Sequence, residues 1–127
     1  MKFDRLTAAL LVLRDDAPDL NDAEAEALQN AHMAHLADLH EAGHLLAAGP
    51  LVDGRFRGLL ILNVEPDEAL RLKEQDPAVR AGRFDVLVMS WIVPRTRITL
   101  PPSIRGWQMV RIHLRFPFAV TSSSSRS

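Results

Sequence analysis

Segments with the periodicity of strands and of helices alternate along most of the chain, and their order restricts the folds that it can adopt. Residues 5–13, RLTAALLVL, are an apolar run bounded by the turn-forming sequence RDDAPD, which is typical of a buried strand. A helix is predicted over residues 22–42, because Asn21 or Asp22 can cap its start. Gly43 is suited to end this helix. Its predicted apolar stripe consists of Ala25, Leu28, Leu36 and Leu39.

The following segments are shorter and repeat the alternation. Residues 44–51, HLLAAGPL, predict a short strand, and a hairpin-type turn at DGR leads into a clear strand over residues 56–64. Residues 65–75 predict an amphipathic helix with Pro66 at its start, and the sequence DPAVRAG breaks it. Residues 83–94, RFDVLVMSWIVP, predict the last strand of this region.

The predicted order is therefore β-α-β-β-α-β, which is the split βαβ or ferredoxin-like plan. Such a chain forms an α+β fold in which an antiparallel sheet carries its helices on one face. The other face of the sheet must be covered, and a second subunit is the usual way to cover it. We therefore expect a homodimer.

The last part of the chain, residues 95–127, differs in character from residues 1–94 and is expected to be a C-terminal extension of that domain. Its basic, proline-rich start could cover a sheet edge, reach a partner subunit or be an accident of the reading frame. Residues 109–120 alternate apolar and polar side chains, which predicts a further strand at a sheet edge, because Pro117 lacks an N–H donor. The serine-rich end, residues 121–127, is expected to be disordered.

Composition and motifs argue against several classes of function. The chain has 15 Lys and Arg and 16 Asp and Glu, whereas an electrostatic nucleic-acid binder needs a basic face. It has no cysteine, which excludes disulfides, thiolate metal sites and cysteine nucleophiles. The apolar run near the N terminus is too short to cross a bilayer or to form a signal-peptide core. We expect a cytoplasmic protein without nucleic-acid or membrane partners, and no G-x-G-x-x-G motif or P-loop indicates a cofactor.

Four of the five histidines lie within QNAHMAHLADLHEAGHLLAAGP, residues 29–50. His32 falls on the apolar stripe of the first predicted helix and should point toward the sheet. A half-buried imidazole there needs a partner, because an unsatisfied buried polar group costs roughly 1–3 kcal/mol. The pattern alone is compatible with a core histidine that has found a structural partner, and also with a catalytic histidine.

The same histidines raise the question of a metal site. His32 and His35 are three residues apart and could share a helix face to bind zinc or copper, with Asp38 and Glu41 as further candidates. No second cluster of ligands appears elsewhere in the sequence. The alternative is a solvated helix flank, and we predict no bound metal.

Asp76 is the candidate partner of His32. It follows the second predicted helix, and both helices of this fold pack on the same face of the sheet, so that Asp76 can come near the first helix. A carboxylate that accepts a hydrogen bond from a ring N–H would fix the tautomer of the imidazole and raise its basicity. This arrangement is a base with its orienting group, although no nucleophile is evident.

The stretch AHMAHLADLHEAGHLLAAGPL followed by DPAVRAGRFDVLVMSW resembles the YCII-related domain family, whose members are small proteins with a dimeric α/β-barrel, ferredoxin-like fold. The shared pattern is a histidine on the first helix, then Gly-x-Leu-Leu-x-x-Gly-Pro, then Asp-Pro-x-x-x-x-Gly. The resemblance extends over about residues 5–94. The matching residues here are His32, Gly43, Leu45, Leu46, Gly49, Pro50, Asp76, Pro77 and Gly82.

The resemblance implies that His32 and Asp76 form an active-site pair. One related member is a dehalogenase that acts on a chlorinated muconolactone, and muconolactone isomerases have a similar fold. These relatives suggest proton transfer or elimination on a small lactone or oxoacid, without a cofactor. His32 would then be the general acid/base and Asp76 its orienting group. Arg14 would supply a charge for a substrate carboxylate, with Arg55 and Arg57 as alternatives.

One departure from the family pattern and one rival hypothesis accompany this resemblance. An aromatic residue often follows Asp-Pro in the family, whereas Ala78 stands here, and we expect this change to open or reshape the pocket. The rival hypothesis is a non-catalytic dimeric module that binds a ligand or a protein, with a structural hydrogen bond between His32 and Asp76. A polar pair on a core face favours the enzyme, whereas the absence of a nucleophile, a cofactor motif and a metal set favours the module.

Overall fold

The computed structural model describes residues 2–95. The strand predicted over residues 109–120 and the disordered end predicted after it lie outside the described residues. The elements within the described part are β1 (Phe3–Leu13), α1 (Asp22–Glu41), β2 (Leu45–Pro50), β3 (Phe56–Leu62), α2 (Pro66–Lys73), α3 (Pro77–Arg80) and β4 (Phe84–Pro94).

The four strands form one antiparallel sheet in the order β2-β3-β1-β4. The predicted α+β, ferredoxin-like plan is thereby confirmed. β1 is a central strand, because it pairs with β3 on one side and with β4 on the other. A strand that is hydrogen-bonded along both edges is shielded by its neighbours, which explains the nearly continuous apolar sequence of β1.

The hydrophobic core lies between the sheet and the helices. Alternate residues of each strand point to this side, as the two-residue period of a strand requires. Leu39 of α1, Ala69 of α2 and Ala78 of α3 cover them. The strand residues of the core are Ala9, Leu11, Leu60, Leu62 and Phe84.

The opposite face of the sheet carries apolar side chains that the described helices do not cover. We call it the open face. On β4, Leu87, Met89 and Trp91 keep 44–47% of their surface exposed. An exposed apolar surface of this kind is typical of an interaction site. The open face consists of Leu6, Ala8, Leu10, Leu59, Ile61, Leu87, Met89 and Trp91, which are neighbours in the register of the sheet.

The start of α1 is determined by a capping box. The side chain of Asn21 accepts a hydrogen bond of 2.8 Å from the backbone N–H of Glu24, and the Glu24 side chain accepts one of 3.0 Å from the backbone N–H of Asn21. Asn21 is therefore the cap, rather than Asp22. α1 ends at Glu41, and Gly43 follows with a φ of +82°, a conformation that glycine adopts readily.

The segment DPAVRAG does more than break a helix, and the short helix α3 was not predicted. The side chain of Asp76 caps α3 by accepting a hydrogen bond of 2.9 Å from the backbone N–H of Ala78. Pro77 occupies the first helical position, where a missing N–H does no harm. Gly82, with a φ of +81°, then turns the chain into β4. The other predicted elements agree with the structure to within two residues at each end.

None of the helices within residues 2–95 combines the length and the apolar character that a crossing of a lipid bilayer demands.

Candidate active site

His32 and Asp76 meet in the interior of the protein. His32 lies on the buried side of α1, and Asp76 occupies the junction between α2 and α3. The Nδ1 atom of His32 is 2.7 Å from the Oδ2 atom of Asp76. His32 keeps 7% of its surface exposed and Asp76 none. The structure thus brings the two predicted residues together, although 44 positions separate them in the sequence.

The carboxylate of Asp76 is held by three partners. Its Oδ1 atom accepts the hydrogen bond from the backbone N–H of Ala78 that caps α3. Its Oδ2 atom accepts from Nδ1 of His32 and also from the Nζ atom of Lys73, each at 2.7 Å. A buried carboxylate with donors on both oxygens has a fixed orientation, because rotation would break at least one of these hydrogen bonds.

Lys73 is a member of the site that the sequence analysis missed. Its side chain is completely buried, which is rare for lysine unless the ammonium group is paired. Lys73 follows Ala69 by four residues, so both lie on the same side of α2, and both are buried. A lysine in a position where the helix calls for an apolar residue, three residues before an aspartate, is the signal that could have identified it.

The environment favours the ionised form of Asp76. Burial would raise the pKa of its carboxyl group, but the hydrogen bond from His32 and the charge of Lys73 outweigh burial and lower the pKa to about 2. Burial lowers the pKa of the Lys73 ammonium group, and the neighbouring Asp76 opposes this decrease. Asp76 is therefore an anion at any pH at which a protein of this kind operates.

The charge of Asp76 determines the tautomer of His32. An ionised carboxylate can only accept hydrogen bonds, so Nδ1 of His32 must donate to it. In the neutral ring, Nε2 then carries the lone pair and is the basic nitrogen. A proton taken up at Nε2 produces an imidazolium that Asp76 stabilises directly. The pair can accordingly accept and return a proton without changing its geometry.

The other described histidines, His35, His40 and His44, do not form a metal site with this pair. His35, one turn further along α1, is half-buried, and its pKa is lowered by burial and by the charge of Lys73. Its Nε2 atom is buried and has no hydrogen-bond partner among residues 2–95. His40 is exposed at the end of α1, and His44 lies just beyond it. Within the described residues, no three His, Asp or Glu side chains converge as ligands for a metal ion.

Arg14 lies at the end of β1 and is engaged by two carboxylates. It donates hydrogen bonds of 2.8 Å to Asp16 and 2.8 Å to Asp85, and these contacts raise its pKa. No described hydrogen bond or ion pair connects it to His32 or Asp76. The structure therefore does not bring Arg14 together with the pair, and its contact with a substrate stays a prediction.

The remaining predicted positions differ in their surroundings. Arg55 is exposed and stacks on the ring of Phe56 at 5.6 Å, and Arg57 donates a hydrogen bond to the carbonyl oxygen of Gly54. Ala78 is completely buried in the core and supplies the backbone N–H that binds Asp76. A shallow depression of about 350 Å³ lies away from the pair. It is lined by Leu10, Leu51, Val52, Asp53 and Phe56.

Comparison with known proteins gives three results. None of the curated proteins matches this chain. Among solved structures, it is similar to 5-chloro-2-hydroxyhydroquinone dehydrochlorinase from Burkholderia phenoliruptrix AC1100, determined in complex with 2,5-dihydroxybenzoquinone. The two share 23% sequence identity over 68% of this chain and 92% of the other, with a TM-score of 0.48.

The third result concerns protein families. The model of the YCII-related domain matches residues 8–92, which include the second half of β1, both long helices, the pair and nearly all of β4. The match covers the whole segment in which the resemblance was recognised except for a few residues at each end. This chain is therefore a member of the YCII-related domain family.

Proposed function

We propose that this protein catalyses proton transfer or elimination on a small lactone or oxoacid, with His32 as the general acid/base and Asp76 as its orienting group. The observation that carries this proposal is the 2.7 Å contact between His32 Nδ1 and the buried, ionised carboxylate of Asp76. Membership of the YCII-related domain family supports the choice of this pair.

The proposed reaction follows from the chemistry of the pair. Nε2 of His32 removes a proton from a carbon next to the substrate carbonyl group, and Asp76 stabilises the resulting imidazolium. In an isomerisation, the imidazolium returns the proton to another carbon of the same substrate. In an elimination, a leaving group departs with its bonding electron pair, and His32 then releases the proton to water. Neither route requires a nucleophile, which agrees with the absence of cysteine and the paucity of serine in this part of the chain.

A second candidate function is a binding module without catalysis. It is supported by the structural contacts of Asp76, whose Oδ1 atom caps α3 and whose Oδ2 atom neutralises a buried lysine. Both contacts stabilise the fold whether or not His32 transfers a proton. In this alternative, the contact between His32 and Asp76 serves only to attach α1 to the α2–α3 junction.

Solvent exchange distinguishes the two candidates. The wild-type protein and His32→Gln are incubated in D₂O with a panel of small lactones and 2-oxoacids, and loss of the proton signal next to the carbonyl group is followed by NMR. We expect the wild type to accelerate exchange in at least one compound, and His32→Gln to be slower by about 10²–10⁴-fold. His40→Gln is the matched control, because His40 is an exposed histidine of the same helix.

The stability of the variants completes the test. If His32→Gln keeps or raises the melting temperature while exchange is lost, the histidine serves function rather than stability. Exchange at an unchanged rate in His32→Gln would contradict the proposal. A large decrease in melting temperature, with no exchange by the wild type on any compound of the panel, would favour the binding module.

A further inference from the structure

We propose that Lys73 is a positioning residue of the site: its ammonium group balances the charge of Asp76 and thereby keeps His32 a neutral, proton-accepting imidazole. This inference rests on the proposed function, because it explains how His32 is available as a base. It assigns a role to a side chain that acts on the imidazole through Asp76.

The geometry that supports this role is the sharing of one oxygen atom. Nδ1 of His32 and Nζ of Lys73 both lie 2.7 Å from Oδ2 of Asp76. The two nitrogen atoms are thus neighbours across a single atom, and each responds to the charge of the other. Lys73 and Asp76 are both completely buried, so solvent screens their interaction little.

The balance of charge decides the state of the imidazole. A buried carboxylate alone beside a histidine favours the imidazolium, because an opposite charge within about 4–6 Å stabilises the charged form. With Lys73 present, the charges of Lys73 and Asp76 cancel each other. A proton on His32 would then create a net positive charge in the interior, which is costly. Lys73 therefore prevents a permanent His32–Asp76 ion pair.

His35 and the side chains of β2 and α3 add no buried charge to this balance. His35 is neutral at neutral pH, since burial and the charge of Lys73 lower its pKa. The elements with which α1 makes the most contacts are α3 and β2. β2 has the sequence LLAAGP and no ionisable side chain, and the only ionisable residue of α3 is Arg80, which is exposed. Asp76, which contacts the ring, and Lys73, which shares the same oxygen atom, are accordingly the two charges that the titration below compares.

The test is an NMR titration of the His32 ring in the full chain, with the His32 resonance identified by its absence from His32→Gln. In Lys73→Met, we expect the midpoint to move upward by about one pH unit or more, because Asp76 is no longer balanced. Lys73→Arg keeps the positive charge, so the titration midpoint of His32 in this variant should equal that in the wild type. Arg71→Met is the matched control, since it removes an exposed cation from the same helix.

A second variant covers the case in which Lys73→Met does not fold. Lys73→Met combined with Asp76→Asn removes both charges, and its midpoint should stay close to that of the wild type. An unchanged midpoint in Lys73→Met, or a midpoint of the double variant far below the wild type, would overturn the inference. The titration needs no substrate. If only the proposed function is wrong, the wild type will not accelerate the exchange of substrate protons in D₂O, but the His32 midpoints will still differ between the variants as expected.

Discussion

His32 and Asp76 are joined by a contact of 2.7 Å between Nδ1 and Oδ2, inside the layer where α1 meets the α2–α3 junction. The carboxylate is an anion with a lowered pKa, and the ring must donate to it. This relationship links the stability of the protein to the tautomer of His32, because the same hydrogen bond attaches α1 and leaves the lone pair of the neutral ring on Nε2.

Asp76 should govern part of the acid unfolding of the protein. Its pKa is about 2 in the folded state and about 3.9 in an unfolded chain, so its ionised form stabilises the fold above pH 4. This stabilisation, about 2 kcal/mol, is lost as the pH falls from about 4 to 2. Urea unfolding of the wild type between pH 2 and 6 should show the corresponding slope.

The same slope should be weaker in Asp76→Asn, which has no carboxyl group to protonate at this position. Asp67→Asn is the matched control, because it removes an exposed carboxylate from the first turn of α2 and should retain the slope. Equal slopes in the wild type and Asp76→Asn would show that Asp76 is not the responsible group.

Lys73 and Asp76 should be strongly coupled in stability. Removing one member of a buried ion pair leaves an uncompensated charge, so Lys73→Met and Asp76→Asn should each lower the free energy of unfolding by about 3–5 kcal/mol. The double variant should lose clearly less than the two single variants together, with a coupling of about 1–3 kcal/mol. Chemical denaturation of the four proteins at pH 7 measures this coupling. Additive losses would mean that the contact contributes little.

The open face should be the surface through which two copies of this chain associate. Trp91 lies on this face and is 46% exposed, whereas Ile92 is 55% exposed and points to the other side of β4. Trp91→Asp should therefore shift the protein from dimer to monomer in analytical ultracentrifugation at micromolar concentration. Ile92→Asp, the matched control, should leave the dimer intact. A monomeric wild type, or equal behaviour of both variants, would contradict this prediction.

Gly82 should tolerate substitution poorly because of its backbone. Its φ of +81° lies in the left-handed region, where a Cβ atom costs roughly 1–2 kcal/mol. No neighbouring atom lies within 4 Å of an added Cβ, so the expected loss in Gly82→Ala comes from the backbone alone. Gly54→Ala has the same open surroundings without a positive φ, and its free energy of unfolding should change by less than about 0.5 kcal/mol. Similar losses in the two variants would contradict this explanation.

The order of the elements and the His32–Asp76 pair were predictable from the sequence for physical reasons. Periodicity reveals which face of a helix or strand is buried, and His32 interrupts an otherwise apolar stripe. Once both helices are assigned to one face of the sheet, Asp76 is a natural partner. Other features depend on packing that no local pattern reports. The ion pair of Arg14 with Asp85 joins residues 71 positions apart.

Lys73 and α3 were missed for two different reasons. A lysine is exposed by default, and only the three-dimensional structure shows that its ammonium group has a buried carboxylate to contact. α3 was overlooked because Asp-Pro after a helix normally signals its end. Here the same Asp-Pro starts a new helix, since Asp76 caps it and Pro77 suits its first position.

The residues that orient Asp76 lie at very different distances from it in the sequence. Lys73 and Ala78, which hold its two oxygen atoms, belong with it to six consecutive residues, whereas His32 comes from a distant helix. The carboxylate is thus oriented by a single short segment, and the histidine comes from a separate helix that packs against it. A fold built in this way can exchange the side chain at position 32 during evolution, while Lys73 and the backbone of Ala78 still hold the anion beneath it.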